Sequence, residues 1–304
     1  MRKLKSKYLL LSFLMVVAGV HAQKQMEELY TPALLSQLRK KANEVEGAKP
    51  SALRYIKFAE SPRTWSATLE GGDETPYMQA RTAYQLMYDD HFIMIDSGMD
   101  LEVHKFFGHG TSQPYFQQKN IQIQKALKAA DQIIITHEHG DHIAGVLRTL
   151  NYSAIAPKTV VTTEQLQTLV NNPQMEALKI SPAQIDDFNT VDFEETLAIA
   201  PGVVLIKAPG HTPGELMIYL QFEDGREYII TGDVSWSYAG VLETKQKPQS
   251  QQERIGENPV QIQFELDWLN EVEKQGIQLI VNHDDIVQPK LVKQGILKEG
   301  LLLK

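Results

Sequence analysis

Apolar residues in this chain gather into short, nearly continuous runs, separated by polar stretches with helical spacing. Leu53–Ala59, Ala83–Tyr88 and His91–Asp96 read as strands, the last two joined tightly through Asp89-Asp90. Asn120–Ala130 has helical spacing and leads into Gln132–Thr136, a buried type of strand. A short helix, a strand at Thr159–Thr162 and a helix at Glu164–Val170 follow. The second half repeats the theme. Strands are expected near Ala198–Lys207, Leu216–Phe222 and Glu227–Thr231, with Asp224-Gly225 as a hairpin turn. A helix over Gln261–Lys274 precedes a last apolar strand, Gln278–Val281. Strands that alternate with helices in both halves predict an α/β fold.

The first fifty residues stand apart from this pattern. Arg2, Lys3, Lys5 and Lys7 precede an apolar run from Tyr8 to Val20, and Val20-His21-Ala22 offers the small residues a signal peptidase reads. Residues 1–22 are therefore expected to be a cleaved export signal, which places the protein in the periplasm or outside the cell. The apolar run falls short of the ~20 residues that span a bilayer, so no stable membrane insertion is expected after cleavage. Residues 26–50 read as a helix capped by Thr31, with Pro32 in its first turn and Leu34, Leu35, Leu38, Ala42 and Val45 on one face; Gly47 and Pro50 stop it. Residues 23–50 then form a helical extension, and residues 51–304 one catalytic domain.

Charge and cysteine content narrow the chemistry. The chain's net charge is −8, and losing the basic start makes the remainder more negative still. Such a surface repels phosphate backbones, so the partner is a small molecule and not a nucleic acid. The chain has no cysteine, so disulfides and thiolate chemistry are excluded, and any metal must be held by nitrogen and oxygen.

The strongest motif is His137-Glu138-His139-Gly140-Asp141-His142, directly after the apolar Ile133–Ile135. Two histidines one residue apart in extended backbone project to the same side and can share a metal. Gly140 allows a sharp turn, after which Asp141 and His142 can reach a second one. His211 in Pro209-Gly210-His211-Thr212-Pro213-Gly214, Asp233 in Thr231-Gly232-Asp233 and His283 in Asn282-His283-Asp284 each lie just past an apolar strand, where open sheets build their sites.

This set resembles the metallo-β-lactamase superfamily, from about Leu53 to about Asp285. The resemblance implies a four-layer αβ/βα sandwich with two divalent ions in the cleft between its sheets. His137, His139 and His211 would hold the first ion, Asp141, His142 and His283 the second, and Asp233 would bridge them. Zinc is the default; iron, manganese and nickel accept the same ligands. The implied reaction is hydrolysis, with a metal-bound hydroxide attacking an acyl carbon and Asp141 as catalytic acid–base. Asp96, in Ile95-Asp96-Ser97-Gly98, matches the family's first motif and is expected to steady a ligand histidine, as is Thr212.

The substrate is less legible. Class B β-lactamases carry Cys or Ser where this chain has Asp233, whereas lactonases and glyoxalase II-like thioesterases carry the aspartate. A lactone, ester or thioester is therefore the first reading, and a β-lactam the second. An oxidoreductase like the mononuclear iron persulfide dioxygenases stays open. Lactonases often have a tyrosine three residues past the aspartate; here that position is Trp236, with Tyr238 two further on. Both are candidate lining residues, with Phe106 and Phe107 from Met99–Tyr115, which is either a lid or a segment packed on the edge. His104 and His109 read as surface residues.

Overall fold

A long antiparallel hairpin, β1 (Ala52–Thr64) with β2 (Pro76–Met87), is the spine of the first sheet in the computed structural model, which describes residues 29–303. β3 (Phe92–Ile95), β4 (Gln132–Ile134), β5 (Thr159–Thr162) and β6 (Asn189–Val191) extend that sheet on one side, and β12 (Leu297–Glu299) on the other. The second sheet runs β11 (Gln278–Ile280), β10 (Glu227–Ile230), β9 (Leu216–Gln221), β8 (Val203–Lys207) and β7 (Thr196–Ala200).

Four layers require three apolar interfaces, and the strands supply them by period-two alternation. Ile93 and Ile95 face the second sheet, where they meet Leu205, Ile218 and Ile230, while Met94 between them faces the helices. Ile134 likewise points between the sheets, and Ile133 and Ile135 point outward onto Ile143, Leu166 and Leu169. On the far side, Val204, Ile206 and Leu279 pack against Ile262, Leu266 and Leu269 of the Pro259–Lys274 helix and against Leu34, Leu35 and Leu38. Being covered on both faces is why these strands read as unbroken apolar runs. The predicted α/β four-layer sandwich is the observed fold.

Several boundaries differ from the sequence reading. β1 and β2 run well past Ala59 and begin well before Ala83, because their outer half carries polar side chains that leave no apolar alternation to read. The run Ala198–Lys207 is two strands, β7 and β8, turned at Pro201-Gly202; Gly202 sits at φ +76°, and a Cβ there would meet the Gln221 carbonyl oxygen at 2.3 Å. Gln278–Ile280 is not the last strand, since Leu297–Glu299 returns to pair in parallel with Leu53–Tyr55. The N-terminal helix spans only Ala33–Lys41, with Pro32 and not Thr31 at its cap and no side-chain cap bond. Residues 1–28, with the expected export signal and the start of the extension, lie outside the described residues. No described helix is long and apolar enough to cross a membrane.

Candidate metal centre

β4 delivers Thr136–His139 to the edge of the sandwich, and the Gly140–Leu147 helix begins at once, with His139 as its cap residue. Gly140 is needed for proximity and not for a left-handed turn: it is helical, and a Cβ there would stand 2.9 Å from Val103 Cγ1. The extended backbone before it and the helix after it aim His137, His139, Asp141 and His142 at one region. His211 arrives from the turn after β8, Asp233 from that after β10 and His283 from that after β11.

The structure brings all seven together. Nδ1 of His139 lies 3.1 Å from Nε2 of His137 and 3.0 Å from Nε2 of His211. His142, His137 and Asp233 form a second trio, and Asp141, His142 and His283 a third, each with its ligand atoms within 4.8 Å of one another. Asp233 Oδ2 stands 3.0 Å from His283 Nε2 and 3.6 Å from His211 Nε2, so it lies between the two groups.

Outer partners orient the rings. Glu257 accepts from His211 Nδ1 at 2.5 Å, Asp96 from His142 Nδ1 at 2.8 Å, and the Ala80 carbonyl from His283 Nδ1 at 2.5 Å. Glu215 Oε2 stands 3.1 Å from His137 Nδ1, while its other oxygen accepts the Asp233 backbone N–H at 2.8 Å. A carboxylate or carbonyl can only accept, so the rings of His211, His142 and His283 carry their protons outward and turn their Nε2 lone pairs inward. Burial pushes His139 down to about 3 and His137 well below the ordinary histidine range, favouring the neutral, ligating form. Burial also opposes charge on His142, but the carboxylates of Asp141, Asp96 and Asp233 overcome it and raise that group.

These atoms fit metal ions better than hydrogen bonds. Nε2 of His137 and Nε2 of His211 both face His139 Nδ1, at 3.1 and 3.0 Å, and one proton cannot satisfy all three nitrogens. Tetrahedral zinc, with Zn–N of about 2.0–2.1 Å, would space its ligand nitrogens by roughly 3.4 Å. His142 Nε2 and Asp233 Oδ1 are buried without any hydrogen-bond partner. Unpaired buried polar atoms are costly unless something positive or protic reaches them.

Other expected residues are placed as follows. Asp96 steadies His142 and also accepts from the Thr136 N–H and hydroxyl at 2.8 and 2.9 Å; these bonds hold it at φ +61°, an uncommon conformation for aspartate. Thr212 does not touch a ligand histidine. Its hydroxyl donates to Glu138 at 3.0 Å. Trp236 donates its indole N–H to Asp233 Oδ2 at 3.0 Å. Tyr238 faces away from the site, packing with the second sheet's outer helices and reaching Glu273 at 3.4 Å. Met99–Tyr115 contains a helix, Leu101–Phe107, capped by Asp100. Phe107 is buried under Arg81, whereas Phe106 is exposed, and both border a cleft of about 800 Å³ that His139, His211 and Arg254 also line. His104 is buried and not at the surface, with its Nε2 3.3 Å from the Gln113 carbonyl.

Glu215, Glu257, Lys247 and Arg81 were not legible beforehand. Lys247, fully buried, donates to Glu257 at 2.6 Å and to the Asp233 carbonyl at 2.7 Å. Arg81 is bound directly to Asp141. Glu257→Gln is expected to weaken metal affinity by roughly tenfold or more, since it removes the charge that holds the His211 ring. Competition with a chelating dye measures this, and an unchanged affinity would contradict the assigned role.

Residues 82–258 match the family model of the metallo-beta-lactamase superfamily, which is more than half of the chain. No curated protein sequence matches it. The fold is similar to that of a quorum-quenching N-acyl homoserine lactone lactonase (TM-score 0.63, 16% identity, 81% of this chain and 97% of that one). It is also similar to an N-acyl homoserine lactone hydrolase with the product N-hexanoyl-L-homoserine bound at its catalytic metal centre (TM-score 0.62, 19% identity, 80% and 96% covered). A third similar structure is AidC, a dizinc quorum-quenching lactonase (TM-score 0.51, 15% identity, 78% and 92% covered). With its fold, its converging histidines and aspartates and the family match in agreement, the chain belongs to the metallo-beta-lactamase superfamily of metal-dependent hydrolases.

Proposed function

We propose that this protein hydrolyses an acyl bond, of the lactone or ester class, at a centre of two divalent ions, with zinc as the native metal. The observation that carries the reading is the inward convergence of five imidazoles and two carboxylates, two of whose atoms, His142 Nε2 and Asp233 Oδ1, are buried and make no hydrogen bond. His137, His139 and His211 would hold one ion, Asp141, His142 and His283 the other, with Asp233 shared. Such ions supply Lewis acidity and can lower the pKa of water from about 15.7 to about 7.

The chain's own groups prepare the rest. Asp141 keeps its carboxylate ionised: burial opposes this, but Arg81 and then His142 hold it well below the usual range. It is thereby a proton acceptor beside the reacting region, and it can return the proton to the leaving alkoxide. Trp236 and the Glu215-bound backbone N–H fix Asp233 in place. The Arg81 guanidinium lies over the Phe107 ring, and Phe106 offers an apolar edge at the cleft mouth. Lactones lead the substrate class because the similar structures above act on them. The indole of Trp236 is spent on Asp233 and Tyr238 points elsewhere, so neither side chain is available to assist the carbonyl.

Zinc-loaded protein, screened on lactones, esters, thioesters and β-lactams, is expected to turn over lactones or simple esters. Chelation should abolish that turnover, and two zinc equivalents per chain should restore it. Elemental analysis showing no affinity for transition metals, or activity that survives chelation, would overturn the reading.

A further inference from the structure

The cleft of about 800 Å³ that His139 and His211 border has one wall made by a single helix. Thr163–Asn171 follows β5 directly and turns Leu166 and Leu169 into the core. Its other face carries Glu164, Gln167, Thr168 and Asn171, at i, i+3, i+4 and i+7, and all four line the cleft. Gln174 continues the same wall just past the helix end. Sites for apolar molecules are lined mostly by apolar and aromatic side chains, with a few polar groups among them. Here the proportion is reversed. Among the described residues on this cleft, Phe106, 42% exposed, is the one large apolar side chain that stands open to solvent.

The wall offers mainly acceptors. The Thr168 hydroxyl gives its hydrogen to the Glu164 carbonyl at 3.0 Å, and the Asn171 amide nitrogen donates to the Gln167 carbonyl at 2.9 Å. Each side chain keeps an oxygen with lone pairs to spare. Gln174 is the complement: its Oε1 accepts the Gly140 N–H at 2.9 Å, which leaves the amide nitrogen as a donor. Glu164 is paired with Lys207 at 2.6 Å, so its charge is balanced and the wall calls for neutral donors, not for a cation. An aliphatic chain laid here would strip water from these groups and return nothing, whereas hydroxyls replace that water bond for bond. Glu164 and Thr168 stand about one turn apart, as do Gln167 and Asn171, roughly 5.4 Å. Hydroxyls on opposite sides of a sugar ring span such a gap, and the open Phe106 ring gives the sugar's C–H face a surface to lie on.

Resting on the hydrolase reading above, we propose that the substrate is an acyl ester of a polyhydroxylated, sugar-like alcohol, whose hydroxyls bond to Thr168, Asn171 and Gln174 while its ester carbonyl lies toward His139 and His211. Water adds to the acyl carbon and the acyl C–O bond breaks. Asp141 returns a proton to the leaving sugar oxygen, so the products are a carboxylate, one proton and the free alcohol.

The test uses the zinc-loaded full chain with the methyl 6-O-acetyl glycosides of glucose, galactose and mannose, each against cyclohexylmethyl acetate, which keeps the ring and the ester and lacks the hydroxyls. With every rate divided by that of hydroxide alone, kcat/KM for at least one glycoside is expected to exceed that of the cyclohexyl ester roughly tenfold or more. In the Thr168→Val, Asn171→Leu double variant this ratio should fall toward one. Gln118→Leu, an exposed change on the Gln117–Ala129 helix, should leave it where it was. Saturation-transfer NMR of the unacylated methyl glycosides reads the same contact without turnover, and their affinity should weaken severalfold in the double variant. Equal rates for glycosides and cyclohexyl ester, turnover confined to apolar lactones, or a ratio and glycoside affinity unmoved by the double variant would each overturn the proposal. If no ester or lactone is turned over at all, the hydrolase reading is what has failed, and glycoside binding alone then decides the role of the wall.

Discussion

His139→Ala is expected to yield a folded protein whose kcat/KM has dropped by on the order of a thousandfold or more. The size follows from position. Nδ1 of His139 is the nitrogen that both His137 Nε2 and His211 Nε2 approach, so its loss leaves the first trio with two ligands. The small structural cost follows from the same geometry, since the ring is half-buried, caps the Gly140–Leu147 helix without a side-chain bond and fills no packed core. The metal-free forms of parent and variant are therefore expected to melt within roughly 2–4 °C of each other, the shift that ~1 kcal/mol produces in a domain of this size. Elemental analysis should find the first metal equivalent missing. Full activity in a variant with full metal content would refute the ligand assignment.

Lys247→Met is expected to destabilise the fold by about 3–5 kcal/mol, because it strands the buried Glu257 carboxylate that Lys247 neutralises. That corresponds to a fall in melting temperature of roughly 6–20 °C. The pH dependence has a definite sign. In the parent, burial pushes Glu257 up, but Lys247 and the His211 bond prevail and hold it below the usual carboxylate range. Its contribution is thus present above the ordinary glutamate value of about 4.3 and is lost as pH falls below it. In the variant burial prevails, Glu257 takes up a proton more readily, and the stability gap to the parent narrows on acidification. Adding Glu257→Gln to Lys247→Met should recover part of the loss, because no charge is then left unpaired. Calorimetric melting of the three proteins across pH decides this, and a parallel offset at every pH would refute it.

The seven converging residues were legible because they sit in a contiguous motif or at the ends of apolar strands, and both are local signals. The residues that orient them were not. Glu257 lies just before the Asn258 cap of a helix, and Lys247 in a polar loop; neither position has any pattern that points at His211 or Asp233. Glu215 came closest to a signal, directly after the Gly210–Gly214 turn, yet its pairing with His137 depends on how β9 enters the second sheet. Thr212 was placed correctly in the site's neighbourhood and attached to the wrong partner, since a hydroxyl's reach is decided by fine loop geometry. The polar outer half of the β1–β2 hairpin escaped notice because Ser61, Arg63, Gln79 and Arg81 spend that face on polar contacts with one another and with Asp141 and not on the apolar core, so they erase the alternation by which a strand is found.

The parallel pairing of Leu297–Glu299 with Leu53–Tyr55 joins residues nearly the whole chain apart. Arg54 reinforces it with bonds to the carbonyls of Glu299 and Gly300, and Gln85 clasps Leu302 through both its amide groups. The hairpin can form from residues close in sequence, but the β1 flank that Leu297–Glu299 covers stays bare until that distant segment docks. A bare flank of this kind is free to pair with another chain, so variants that weaken the docking of Leu297–Glu299 are expected to aggregate more readily.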